Sequence, residues 1–143
     1  MKIASILFFL FLSSFIFSQE KVEWSVRYNS NLNNIELEAN IEKGWHLYSQ
    51  YLKGVDGLIP TQINFSDNKS LKLIGKVLEP KPIEKFDPNF GAVIAFFNDN
   101  VVFLQEIELK ENTNLDVVIN FMVCNETMCL PPIDKNFKIE LKK

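Results

Sequence analysis

Cys124 and Cys129 are the only cysteines in the chain, with four residues between them in the stretch FMVCNETMCLPP. Two thiols at that separation allow three kinds of chemistry: a structural disulfide, part of a metal site, or a pair that exchanges electrons with another disulfide. A bond closing a loop of about six residues stabilises by roughly 2 kcal/mol in the chain-entropy treatment, about half of what a bridge between distant strands gives. It would mainly stiffen its own loop. A structural zinc site asks for four Cys or His ligands, and the chain offers two cysteines and a single histidine, His46. No metal or other cofactor is expected, and His46 is read as a surface or edge side chain on a strand. A Cys–His catalytic pair has no supporting pattern around either residue.

Thiol–disulfide exchange asks for two Cα atoms about 4.4–6.8 Å apart and one sulfur open to in-line attack. Cys124 closes the alternating run LDVVINFMVC, and Cys129 stands just before Leu130, Pro131 and Pro132. Proline cannot donate a ladder hydrogen bond, so strand pairing is expected to stop there. The chain should bend tightly between the cysteines, its two ends meeting across a hairpin mouth. The spacing is not the C-x-x-C of thioredoxin-like proteins and no βαβ pattern surrounds it. Any redox role must therefore sit on a β scaffold. On spacing alone, the structural and the exchange readings both stay open.

The elements that must position the pair read as β. Val22, Trp24, Val26 and Tyr28 alternate on one face, as do Ile35, Leu37, Ala39 and Ile41, with the turn cluster NSNLNN between them. Further runs span residues 61–65, 71–77, 93–97, 101–109, 115–124 and 137–141. Eight or nine short strands punctuated by turns predict an all-β sandwich. Residues 79–91, EPKPIEKFDPNFG, carry three prolines and no alternation, and are expected to form a loop rather than a strand. Phe86 and Phe90 within it need something to cover.

The start, MKIASILFFLFLSSFIFSQ, has a basic Lys2, an apolar run and small serines, and is read as a secretory signal spanning residues 1–19. The remainder, residues 20–143, is expected as one exported domain with no membrane insertion after cleavage. Export to an oxidising compartment would let a disulfide persist. The net charge of −3 becomes one unit more negative without Lys2, and the basic residues are scattered. Nucleic acid and polybasic membrane binding are thereby disfavoured.

The chain resembles the N-terminal periplasmic domain family of the thiol:disulfide interchange protein DsbD, also called disulfide bond correctors. VCNETMCLPP carries the most specific likeness, joined by EKGWHLYSQ, GKVLEP and KFDPNFG. The resemblance implies an immunoglobulin-like β-sandwich in the periplasm that passes electrons from a thioredoxin-like reductase to exported thiol proteins. Carried over by position, Cys129 forms the mixed disulfide with partners and Cys124 resolves it. Residues 87–91, starting at Asp87, match a cap with Phe90 as lid and Phe86 as its rival, and Tyr48 matches an aromatic residue beside the site. Two departures stand out. The acid that follows the aspartate in the family cap is missing here, and the bend between the cysteines is one residue shorter. The sequence also shows neither a transmembrane carrier nor a thioredoxin domain, so a relay would need a separate membrane reductase as donor. The competing expectation is a non-enzymatic exported sandwich with a local structural disulfide. A glycan-binding sandwich would expose clustered aromatics away from the cysteines, whereas Trp24 and Trp45 are expected to pack inward.

Overall fold

A computed structural model describes residues 20–143; the expected signal segment lies outside them. Eleven strands occur among the described residues, and no helix. They are β1 (Val22–Asn29), β2 (Asn34–Ile41), β3 (His46–Tyr48), β4 (Gln62–Phe65), β5 (Leu71–Leu78) and β6 (Ile83–Asp87), then β7 (Ala92–Phe97), β8 (Asn100–Leu109), β9 (Thr113–Phe121), β10 (Val123–Cys124) and β11 (Ile133–Leu141). They form three antiparallel sheets with strand orders β1-β2-β8-β5, β10-β3-β7-β6 and β11-β9-β4. The expected all-β sandwich is what the chain forms.

Period-two alternation builds the core. Ile35, Leu37, Ala39 and Ile41 of β2, Val101, Phe103, Ile107 and Leu109 of β8, and Leu115, Val117, Ile119 and Phe121 of β9 all bury their side chains in one cluster. Trp24 of β1 and Trp45, which stands just before β3, both join it and pack inward as expected. Trp24 packs against Phe103 and Phe121 with ring centroids 5.8 and 5.6 Å apart. The one polar residue at a core position of β8, Gln105, is buried, and its Nε2 donates to the carbonyls of Ile74 and Glu106 at 3.0 and 2.8 Å. The β5–β8 register shifts between Ile74 and Leu78, where Gly75 takes a φ of 66°. Burying a polar side chain costs stability unless its hydrogen bonds are made. Gln105 meets that condition by serving a carbonyl beside the bulge.

Two sequence expectations need correction. The run 115–124 is not one strand. β9 pairs with β11 and β4, while β10 pairs with β3, so the chain changes sheet at the buried Met122. Alternation cannot reveal that step, because Val123 continues the inward series of Leu115 to Phe121 into the same core. Residues 79–91 are not a plain loop either. Ile83–Asp87 form β6 and pair with β7 from Ile83↔Phe96 to Asp87↔Ala92. Pro80, Pro82 and Pro88 all fall outside the paired segment, and β6 is an edge strand, where a missing inward alternation carries little penalty.

A polar knot fixes the exit of β3. The buried Thr61 hydroxyl donates to the carbonyl of Tyr48 at 2.6 Å. The Ser49 hydroxyl donates to the Glu79 carboxylate, which also accepts from the backbone N–H of Gln50 at 2.9 Å. Glu79 lies between β5 and β6, so this knot ties β3 to the base of the β6–β7 hairpin.

Phe103 is fully buried and touches Trp24 and Phe97. Phe103→Ala should cost about 3–5 kcal/mol of stability. Urea unfolding measures it; a loss under about 1 kcal/mol would mean the two sheets do not share this core.

Candidate functional site

Cys124 ends β10 and Cys129 faces it as an isolated antiparallel bridge. Their sulfurs are bonded and their Cα atoms are 4.0 Å apart, closer than the spacing expected from sequence. Two backbone hydrogen bonds close the loop between them. Asn125 N–H donates to the Met128 carbonyl and Leu130 N–H to the Val123 carbonyl, both at 2.9 Å. The Asn125 Oδ1 atom accepts from the backbone N–H of Thr127 and Met128 at 2.9 and 2.8 Å, an Asx turn that sets the bend. Pro131 and Pro132 follow, and pairing resumes at Ile133 with a different strand, β9. The expected hairpin mouth is thus present. The two cysteines are unequal: Cys124 is 2% exposed, whereas Cys129 is exposed.

Register determines which side chains share the face of Cys124. Cys124 pairs with His46, and Tyr48 pairs with Phe96, so His46, Tyr48 and Phe96 line up beside it. Their rings touch: His46 lies 5.7 Å from Tyr48, edge-on, and 5.0 Å from Phe96. Tyr48, Leu58, Ile94 and Met122 pack with Cys124 in a small apolar cluster separate from the main core. On β6, Lys85 opposes Ile94 and Asp87 opposes Ala92, which sets both on this same face. Phe86 opposes Val93 and belongs to the other face.

The tip of the β6–β7 hairpin bends over this surface. Asp87 Oδ1 accepts from Asn89 N–H at 2.8 Å, and Gly91, with a φ of 62°, makes the return that an L side chain would resist. Between this tip and the cysteine loop lies a cavity of about 880 Å³. Cys124, Cys129, Tyr48, Asp87, Phe86 and Phe90 all contribute to its walls. The structure therefore brings together every site residue singled out in the sequence. Phe86 is 60% exposed and Phe90 38%.

His46 was misread. It lies on an inner strand of its sheet, half-buried, directly across from Cys124. The missed signal was its place two residues before Tyr48 on one strand, which gives both side chains the same face. Burial lowers its pKa from the ordinary 6.5, and Lys85 acts in the same direction; Asp87 and Glu126 pull it back up. The Tyr48 phenol is pushed up to about 12, first by burial and then by the charge of Asp87.

The profile of the N-terminal domain of thiol:disulfide interchange protein DsbD matches residues 14–141. The chain belongs to that family. The reduced DsbD N-terminal domain of Neisseria meningitidis has the same fold, with a TM-score of 0.64 at 17% identity over 86% of this chain and 87% of that one. The complex of the DsbD N-terminal and PilB N-terminal domains from the same organism gives a TM-score of 0.63 at 14% identity, covering 87% of each chain. The N-terminal periplasmic domain of ScsB from Proteus mirabilis follows at 0.55 and 18% identity, over 82% of this chain and 44% of that one. No curated protein matches the chain. The DsbD-type sandwich is immunoglobulin-like, and membership together with the bonded pair gives this domain a thiol–disulfide exchange role in general terms.

Because His46 is the only histidine, its titration can be read without assignment. Its Cε1 proton in NMR should titrate below 6.5, since folding disfavours the charged imidazole. The neutral ring therefore contributes stability that is fully present above the unfolded pKa and declines as pH falls toward the folded one. A midpoint at or above 6.5 would contradict the burial seen here.

Proposed function

We propose that this domain relays electrons in the periplasm, taking them from a thioredoxin-like domain linked to a separate membrane reductase and passing them to exported thiol proteins. The observation that carries this reading is the unequal exposure of the two cysteine residues. Cys129 is exposed at the cavity rim and Cys124 is buried beneath it. Exchange requires one sulfur that a partner can approach in line and a second that the partner cannot reach. In this reading Cys129 forms the mixed disulfide and Cys124 resolves it. The export expected from the first 19 residues supports a periplasmic setting.

The purely structural reading draws less support. The closed loop holds six residues counted from Cys124 to Cys129, and such a loop gives roughly 2 kcal/mol. The sandwich already has a large core of its own. A structural disulfide would sit below about −300 mV and resist a thioredoxin-like donor, while a relay would be reduced by one within seconds.

Cap roles follow from register. Phe90 lies at the hairpin tip, and Phe86 projects with Val93 from the face opposite Asp87. Phe90 is therefore the better lid, keeping small oxidants from the reduced pair until a partner displaces the tip. Tyr48 supports the floor beside Cys124.

Cys129→Ser should abolish exchange with a reduced thioredoxin-like protein. Cys124→Ser, left with the Cys129 thiol alone, should instead accumulate a covalent complex with the disulfide form of that protein on non-reducing gels, lost on adding dithiothreitol. A complex formed by Cys129→Ser and not by Cys124→Ser would reverse the two roles. Phe90→Ala should speed oxidation of the reduced domain by glutathione disulfide severalfold, with Phe86→Ala near wild type. The opposite order would move the lid to Phe86.

A further inference from the structure

Resolution of a mixed disulfide needs Cys124 as a thiolate. The structure makes that hard. Cys124 is 2% exposed and packs among Tyr48, Leu58, Ile94 and Met122. A thiol in apolar surroundings holds its proton more tightly than one in water, and at this depth water has little access to take it. Some neighbouring group must accept that proton.

The titratable groups facing this point come from three elements. The β6–β7 hairpin brings Lys85 and Asp87, and the cysteine loop brings Glu126. From β3 come Tyr48 and His46. Lys43 and Asp99 stand farther out on the cavity wall. Lys85 is a cation and cannot accept. Tyr48 keeps its proton at neutral pH, its phenol being pushed up to about 12. Asp87 already accepts the Asn89 N–H that shapes the hairpin tip. Glu126 is exposed at the outer bend. His46 alone stands directly opposite Cys124 in the strand register. Side chains so opposed leave the sheet on one face with Cβ atoms about 4.5–5.5 Å apart. Its ring is held between those of Tyr48 and Phe96.

We propose that His46 accepts the proton of the Cys124 thiol during resolution and returns it when the disulfide is opened. The step rests on the exchange role given above, and it balances. A partner disulfide is first attacked by the Cys129 thiolate, whose proton leaves to solvent from the exposed rim. One partner sulfur departs as a thiolate, and a bond joins Cys129 to the other. The Cys124 thiol then passes its proton to the neutral imidazole, and its sulfur attacks that of Cys129. The internal disulfide forms, the mixed disulfide breaks, and the partner leaves as a thiolate that is protonated by solvent. Two electrons have moved from the domain to the partner, and the imidazolium releases its proton to water. In reverse, an incoming thiolate attacks Cys129, and Cys124 departs with the proton of the imidazolium.

Burial disfavours the charged imidazole, so the ring is neutral and able to accept at neutral pH. The charges of Asp87 and Glu126 favour the imidazolium once it forms, opposed by Lys85.

The test uses glutathione disulfide as a probe on the reduced chain, with acid quench and mass analysis of each species over time. In His46→Phe, which keeps an aromatic ring between Tyr48 and Phe96, the glutathione adduct at Cys129 should form at the wild-type rate. Its conversion to the internal disulfide should slow at least about tenfold near neutral pH, the modest end of what a positioned base supplies. The pH profile of that step should also lose the inflection at the titration midpoint of His46. Conversion within about twofold of wild type with the inflection kept, or both steps slowed alike, would overturn the proposal. If His46→Phe does not fold, by circular dichroism, His46→Gln is measured in its place with the same expectations. The assay contains no thioredoxin-like protein. A chain that resolves the adduct through His46 but ignores such proteins would keep this inference and lose the relay. A chain that serves them without His46 would do the opposite.

Discussion

Two backbone hydrogen bonds hold the site together: Asn125 N–H to the Met128 carbonyl and Leu130 N–H to that of Val123. They flank the bonded pair, whose Cα atoms are 4.0 Å apart. The side chain of Asn125, bound to the N–H groups of Thr127 and Met128, restricts the bend between them. This small hairpin is anchored in turn, because β10 is paired with β3 and β3 with β7.

From that anchoring comes the division between a floor of paired strands and a projecting hairpin. The floor is the face of β3, β7 and β10 that bears Cys124, His46, Tyr48 and Phe96. The other face of the same strands carries Leu47, Phe97 and Val123 into the main core. β6 extends beyond that core, and its residues Ile83 to Phe86 are exposed. One sheet thus serves as a wall of the sandwich at one end and as a free-standing hairpin at the other. The cavity lies where the first becomes the second.

How much of this was legible in the residues follows from the same physics. The core strands were, because a buried face and a wet face leave a period-two imprint at Ile35–Leu37–Ala39 and Leu115–Val117–Ile119. The cysteine hairpin was, because Pro131 and Pro132 mark where pairing must stop. β6 was not. An edge strand beyond the core has no buried face to imprint, and Pro80, Pro82 and Pro88 suggested interruption although each stands outside the ladder. The change of sheet at Met122 was hidden because Val123 prolongs the inward alternation of Leu115–Phe121 into the same core. His46 went unrecognised because its importance comes from the residue across from it, 78 positions later, a relation that only pairing reveals.

The edge position of β6 has a further consequence. An unpaired edge strand invites another copy of the chain to add its own strand there. Glu84 and Lys85 charge this margin, and Pro82 and Pro88 bracket it with positions that offer no N–H. The features that disguised this segment as a loop are those that discourage such templated stacking. They leave this hairpin standing as a single wall of the cavity.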